Sequence, residues 1–196
     1  MNAELVVLLD EDGRTIGTAD KREVHHQETP LHLAFSCYLF DADGRVLVTR
    51  RALDKPTFPG VWTNSCCGHP APGEDIADAV RRRVQQELGV RPEGLRLLLP
   101  RFRYRAVMPN GVTENEMCPV FLATTADSPR PDPAEVADVS WEPWAEFREA
   151  VLGGTREVSS WCVEQVAVLP ADLPSSAPRP LSELPPAARP PGPDSP

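Results

Sequence analysis

The sequence predicts an α/β (α+β) fold, a mixed β-sheet flanked by helices, and three observations carry that prediction. Two β-hairpin patterns open the chain, one amphipathic helix follows, and further strand patterns precede a last helical stretch. Glu4 to Leu9 reads as a short apolar strand ended by the turn DEDG, and LHLAFSCYLF, the turn DADG and RVLVTRR form a second hairpin. From Glu74 to Leu88 the period changes: Ile76, Val80, Val84 and Leu88 recur every fourth residue with Ala77 beside them, and Gly89 stops the helix. Strands resume at RFRYRAV and ENEMCPVFLATT. A final helix is expected from Trp144 to Val168, broken near GGT.

These elements define a domain over residues 1–169. Beyond it, 170–196 holds ten of the 23 prolines and almost no aromatic or β-branched residue, so a disordered tail is expected there. A chain of 196 residues, 41% apolar and 25% charged, suffices for one core. It has no apolar run long enough for a membrane span, which needs roughly 18 residues, and acidic residues stand where a secretory signal would be basic. A soluble, cytoplasmic monomer is expected. Five cysteines in such a chain point to reduced thiols rather than a disulfide framework. A net charge of −9 argues against nucleic acid, and an anionic small ligand would need local cations or a metal.

Three places carry chemistry. The stretch NSCCGHPAPGED sets Cys66 and Cys67 beside Gly68 and His69, which fits a metal clip, a reactive thiol or a buried thiol pair. All four histidines fall between residues 25 and 69. Far downstream, Glu114 and Glu116 at i and i+2 point to one side of a strand, where burial without compensation would be costly. A metal would supply that compensation, with Mn²⁺, Zn²⁺ and Mg²⁺ all suited to imidazoles and carboxylates; a solvated edge strand is the alternative. On the helix, Arg83 and Glu87 share a face: a guanidinium that forks onto phosphate beside a carboxylate for Mg²⁺, or an ordinary i,i+4 ion pair of about 0.3–0.5 kcal/mol.

The spacing of Gly68, Glu74, Arg82, Val84, Glu87, Gly89 and Val90 resembles the Nudix box, a loop and helix that hold divalent metal against a diphosphate. Arg83 and Gln86 stand where that box has glutamates, which removes carboxylates that a Nudix hydrolase uses to collect metal. LHLAFS, LVTRRALDK, FPGVWTNSCCGHP, ELGV, FRYRA and ENEMCPVF together resemble the type 1 isopentenyl-diphosphate isomerases, a Nudix-fold family that interconverts isopentenyl and dimethylallyl diphosphate. The resemblance implies a metal on His25, His32, His69, Glu114 and Glu116, and a Mg²⁺ on the diphosphate through Glu87. It implies catalytic roles for Cys67 and Glu116 with Tyr104 in support. Lys21, Arg51, Lys55 and Arg83 would grip the diphosphate, and Trp161 would wall the pocket. Moving the double bond by one carbon passes through a tertiary carbocation, which an indole face stabilises by roughly 2 kcal/mol or more when desolvated. Cys66 is expected to pack the other way as a bystander. A Nudix pyrophosphohydrolase and a metal-stabilised binding module are the competing readings.

Overall fold

The computed structural model describes residues 4–190. In chain order its strands are β1 (Leu5–Leu9), β2 (Thr15–Asp20), β3 (His32–Leu33), β4 (Phe35–Phe40), β5 (Arg45–Arg51), β6 (Trp62–Thr63) and β7 (Cys66–Gly68). After helix α1 (Ile76–Leu88) come β8 (Glu93–Leu99), β9 (Arg103–Val107), β10 (Thr113–Met117), β11 (Val120–Thr124), β12 (Val136–Pro143), α2 (Trp144–Leu152) and α3 (Ser160–Val168). The strands make two sheets, ordered β2-β1-β3-β10-β9 and β12-β5-β4-β11-β8, with β6 on β5 and β7 on β4. Both are mixed, because β10 runs parallel to β3 and β11 parallel to β4.

Those two parallel pairs are where the sheets fork. The expected strand LHLAFSCYLF breaks at Ala34, so that β3 lies in the first sheet and β4 in the second. ENEMCPVFLATT breaks at Cys118 and Pro119 for the same reason of membership, and Pro119 has no N–H to offer a ladder. The strands cross side by side: the Ala34 amide donates to Met117 (2.9 Å) and the Ser36 amide to Pro119 (3.0 Å).

β4 is buried along its whole length, as a central strand covered on both faces should be. Phe35, Cys37 and Leu39 pack with Ile76, Ala79, Val80, Val84 and Leu88 of α1. Tyr38 and Phe40, on the opposite face, pack with Trp144 and Phe147 of α2 and Trp161 and Val166 of α3. Asp75 caps α1, accepting from the amides of Ala77 and Asp78. Gly89 ends it at a φ of +65°, and a Cβ there would lie 2.7 Å from the Arg130 carbonyl oxygen.

Four strands are absent from the sequence prediction, the two- and three-residue β6 and β7 and the longer β8 and β12. β8 and β12 lie at the ends of the second sheet's order, and their mostly half-exposed residues blur the alternation that marks a strand. The last helical stretch is two helices separated by residues 153–159.

The expectation of a disordered tail is corrected over its described part, while residues 191–196 lie outside the described residues. Leu173, Leu184 and Ala188 are buried, Leu184 completely, in the clusters that also hold the sheet residues. Arg96 donates to the carbonyls of Pro174 (2.6 Å) and Ser176 (3.1 Å), and the Ala187 amide donates to Gly13 (3.0 Å). Proline-rich composition hid this, because the chain contributes a few spaced leucines and no periodic pattern. Leu184→Ala is therefore expected to cost about 2–5 kcal/mol, the range for a large-to-small change in a packed core. Urea unfolding would show it as a lower midpoint at unchanged slope.

Candidate active site

Strand register at the fork assembles the polar residues. Glu116 on β10 has His32 of β3 as its neighbour on one side and Tyr104 of β9 on the other. His69 follows β7 directly. Gly68 lets that strand approach the rest: a Cβ there would stand 2.9 Å from the Phe35 ring and 3.0 Å from the Arg83 side chain.

One ligand atom each from His25, His32, His69 and Glu116 lies within 4.8 Å of the others. His69 Nε2 is 2.9 Å from Glu116 Oε1, and His32 Nε2 is 3.4 Å from the same oxygen without the alignment of a hydrogen bond. His32 Nδ1 lies 2.9 Å from the Pro30 carbonyl, which can only accept, so Nδ1 carries a proton. In a neutral ring Nε2 then turns a lone pair toward a carboxylate oxygen, an arrangement that a proton or a cation between them relieves. His25 Nε2 is likewise buried with no hydrogen-bond partner among the described residues. Orphaned nitrogen lone pairs around a carboxylate fit a divalent metal.

Burial sets the charges. It drives His69 down to about 4 and lowers His25 as well, both favouring the neutral, ligating form. Burial would depress His32 too, but the negative charge of Glu116 beside it, with the Pro30 carbonyl at Nδ1, raises it. For Glu116, burial alone would raise the carboxyl; His32 and His69 override it and hold the group well below the usual range. Glu114 differs: burial, then the charge of Glu116, push it up. It stands one hydrogen bond outside the four-atom cluster, since Tyr104 Oη lies between Glu114 Oε2 (2.9 Å) and Glu116 Oε2 (2.8 Å), with one hydrogen to share between them.

Cys67 lies on the other sheet's side of the fork, opposite Ser36 in the β4–β7 pairing. Burial pushes its thiol up to about 12. Cys66, next along the strand, packs with the α1 cluster, as strand alternation requires, and meets the cavity from that side, near Arg83 and Glu87. Trp161 is 1% exposed, stacks on Tyr104 at 5.4 Å between ring centroids and meets the Phe58 ring edge-on at 5.2 Å.

A cavity of about 470 Å³ joins these groups to the expected anion-binding cations. Cys67, His25, His69, Tyr104, Glu114, Glu116 and Trp161 line it, as do Lys21, Arg51, Lys55, Arg83 and Glu87; His32 sits behind the lining, fully buried. Each cation already has a protein partner. Lys21 pairs with Glu4 at 2.9 Å, and Arg51 holds the Thr57 carbonyl at 2.8 Å. Lys55 pairs with Glu135, and Arg83 with Glu87 and, at 3.5 Å, with Glu135. Burial raises the Glu87 carboxyl against the opposing pull of Arg83. Glu74, the box residue expected at the start of the helix, makes a two-pronged ion pair with Arg82 at 2.7 Å and does not line the cavity.

Sequence reasoning missed Glu135, Asn64 and Gln165. Glu135 is one of three acids in a proline-rich loop and Gln165 a single amide on an apolar helix, so neither carried a signal. Asn64 lay inside the stretch TNSCCGHP and was legible in principle as a fully buried amide next to the thiols.

The family model described as "NUDIX domain" matches residues 30–162. A protein of Mycolicibacterium vanbaalenii named isopentenyl-diphosphate Delta-isomerase is 62% identical over 169 residues, 86% of this chain and 93% of that relative. One of the same name from Saccharopolyspora erythraea is 54% identical over 92% of this chain and 96% of its own length. Among solved structures, a protein of Deinococcus radiodurans superposes with a TM-score of 0.65 at 19% identity, covering 84% of this chain and 98% of that one. A MutT protein of Methanosarcina mazei Go1 gives 0.57 at 18% identity over 71% and 93%. At those identities the structures establish the fold, and the relatives establish the rest. The chain belongs to the isopentenyl-diphosphate Delta-isomerase family, built on a Nudix fold.

Proposed function

We propose that Cys67 and Glu116 transfer the protons by which this isomerase interconverts isopentenyl and dimethylallyl diphosphate. The observation that carries the reading is a single cavity lined by a thiol from one sheet, a carboxylate from the other, two stacked aromatic rings and a set of cations. One group gives a proton to the terminal alkene carbon, the π pair forming the new C–H bond. The other removes an allylic proton, and its electron pair becomes the new double bond. Thiol and carboxylate belong to different sheets, which suits attack on the two faces of a flat hydrocarbon. The faces of Trp161 and Tyr104 stabilise the intervening cation without offering a nucleophile. Tyr104, hydrogen-bonded to both glutamates, keeps Glu116 oriented.

Lys21, Arg51, Lys55 and Arg83 bind the diphosphate, and that binding energy positions the reacting carbons. When bound, a divalent metal at His25, His32, His69, Glu116 and Glu114 (Mn²⁺, Zn²⁺ or Mg²⁺) sharpens the acidity of the carboxyl group, and Mg²⁺ at Glu87 offsets the diphosphate charge. Arg83 at the position of a Nudix metal ligand argues against pyrophosphate hydrolysis. The substrate is a small molecule, and we assign a monomeric state and a cytoplasmic location, which the five free thiols support. No helix among the described residues is long and apolar enough to cross a membrane.

Incubation with isopentenyl diphosphate in D₂O is expected to give dimethylallyl diphosphate carrying deuterium, with no phosphate released. Phosphate release without isotope in the C5 product would replace this reading by hydrolysis.

A further inference from the structure

Beneath Cys67 lies a set of fully buried polar side chains that the proton-transfer scheme leaves unused. Ser36, Asn64 and Gln165 are all 0% exposed, which polar groups tolerate only when their hydrogen bonds are assigned. For Asn64 the assignment is unique. Asn64 Nδ2 faces the carbonyl oxygens of Cys37 (3.1 Å) and Cys66 (3.0 Å), which only accept, so the amide cannot be flipped. Its Oδ1 therefore faces Cys67 Sγ at 3.2 Å as an acceptor, and also receives the Thr63 hydroxyl at 2.9 Å. The thiol hydrogen of Cys67 is directed at Asn64.

The other side of the sulfur is fixed from α3. Tyr38 Oη donates to Gln165 Oε1 (3.0 Å), which turns Gln165 Nε2 onto Ser36 Oγ (2.9 Å). Ser36 has then filled an acceptor site, and its own hydrogen is free for Cys67 Sγ at 3.4 Å or Cys118 Sγ at 3.3 Å. Gln165 stands one helical turn after Trp161, so one face of α3 supplies both the pocket wall and this tether.

We infer that Asn64 and the relay Tyr38–Gln165–Ser36 are positioning residues, a two-sided cradle that fixes Cys67 Sγ at the cavity wall for proton transfer. The inference rests on the reading of Cys67 as a proton carrier. None of the cradle residues lines the cavity, so they act through the sulfur and not on the diphosphate.

Steady-state kinetics with isopentenyl diphosphate test it. Ser36→Ala and Gln165→Met are each expected to lower kcat about 10- to 100-fold with KM held within about 3-fold, the cost of misplacing one reacting atom. Because Gln165 works through Ser36, the double variant should be no slower than Ser36→Ala alone. Full kcat in either folded single variant, or losses that multiply in the double, would overturn the cradle. If Ser36→Ala fails to fold, Gln165→Met with Gln165→Glu, which keeps the acceptor for Tyr38, decides: kcat equal to the parent chain in Gln165→Met refutes the relay. Cys67→Ala in the same assay separates the levels. Turnover surviving in Cys67→Ala removes the reading of the thiol itself, whereas its loss beside an intact Ser36→Ala removes only the cradle.

Discussion

Cys67→Ala is expected to lower kcat by about 10²–10⁴-fold, the usual contribution of a positioned proton donor or acceptor. The folded state and metal content should be unaffected, because the sulfur touches Ser36 and Asn64 and belongs to neither the metal cluster nor the α1 core. Cys66→Ala should show the reverse. Its side chain packs in that core at 2% exposure, so stability falls while turnover stays close to that of the parent chain. Kinetics and thermal unfolding on the two variants read both halves of the prediction, and turnover lost at 66 but kept at 67 would exchange their roles.

Glu116→Gln is expected to do more damage than any other single change. The carboxylate is the common acceptor for His69 and Tyr104, sits 3.4 Å from His32, and is shared between the four-atom cluster and the cavity. An amide keeps the shape but loses the charge. Turnover should fall by about 10²–10⁴-fold from proton transfer alone. Metal measured by mass spectrometry on the purified variant should drop below the parent's content, which is the readout that separates this position from Cys67. A variant that keeps its metal and loses only turnover would confine Glu116 to chemistry, and one that keeps both would end its part in the scheme.

Much of this site was legible before the fold. The i, i+2 pair of Glu114 and Glu116 and the histidines between residues 25 and 69 pointed to a metal by type and by the cost of burying them together, with a solvated edge strand as the alternative. The sequence could not say that Glu114 would stop one hydrogen bond short of the cluster, since that depends on where the Tyr104 hydroxyl falls across β9 and β10. Helix α1 was readable because its period is strong and its ends carry Asp75 and Gly89. β8 and β12 were not, because half-exposed strands at the ends of a sheet's order lack alternation. The long strands around Ala34 and Pro119 were read as continuous: an apolar run continues through a change of sheet, and only the pairing partners reveal it. Leu184 was hidden for the opposite reason, a lone core residue in a segment whose composition speaks of solvent.

The fork at Ala34 sets a gauge for the ligand. His32, beside the carboxylate, and Ser36, beside the sulfur, are four residues apart on one continuous backbone, and a second backbone runs parallel to it through Met117 and Pro119. The backbone beneath the two reactive groups is thus held by main chain spanning at most about 13 Å, so only side-chain movement can change the gap between them. An analogue thickened by an extra branch at the reacting carbons should be refused, whereas one lengthened away from them has only side chains to displace.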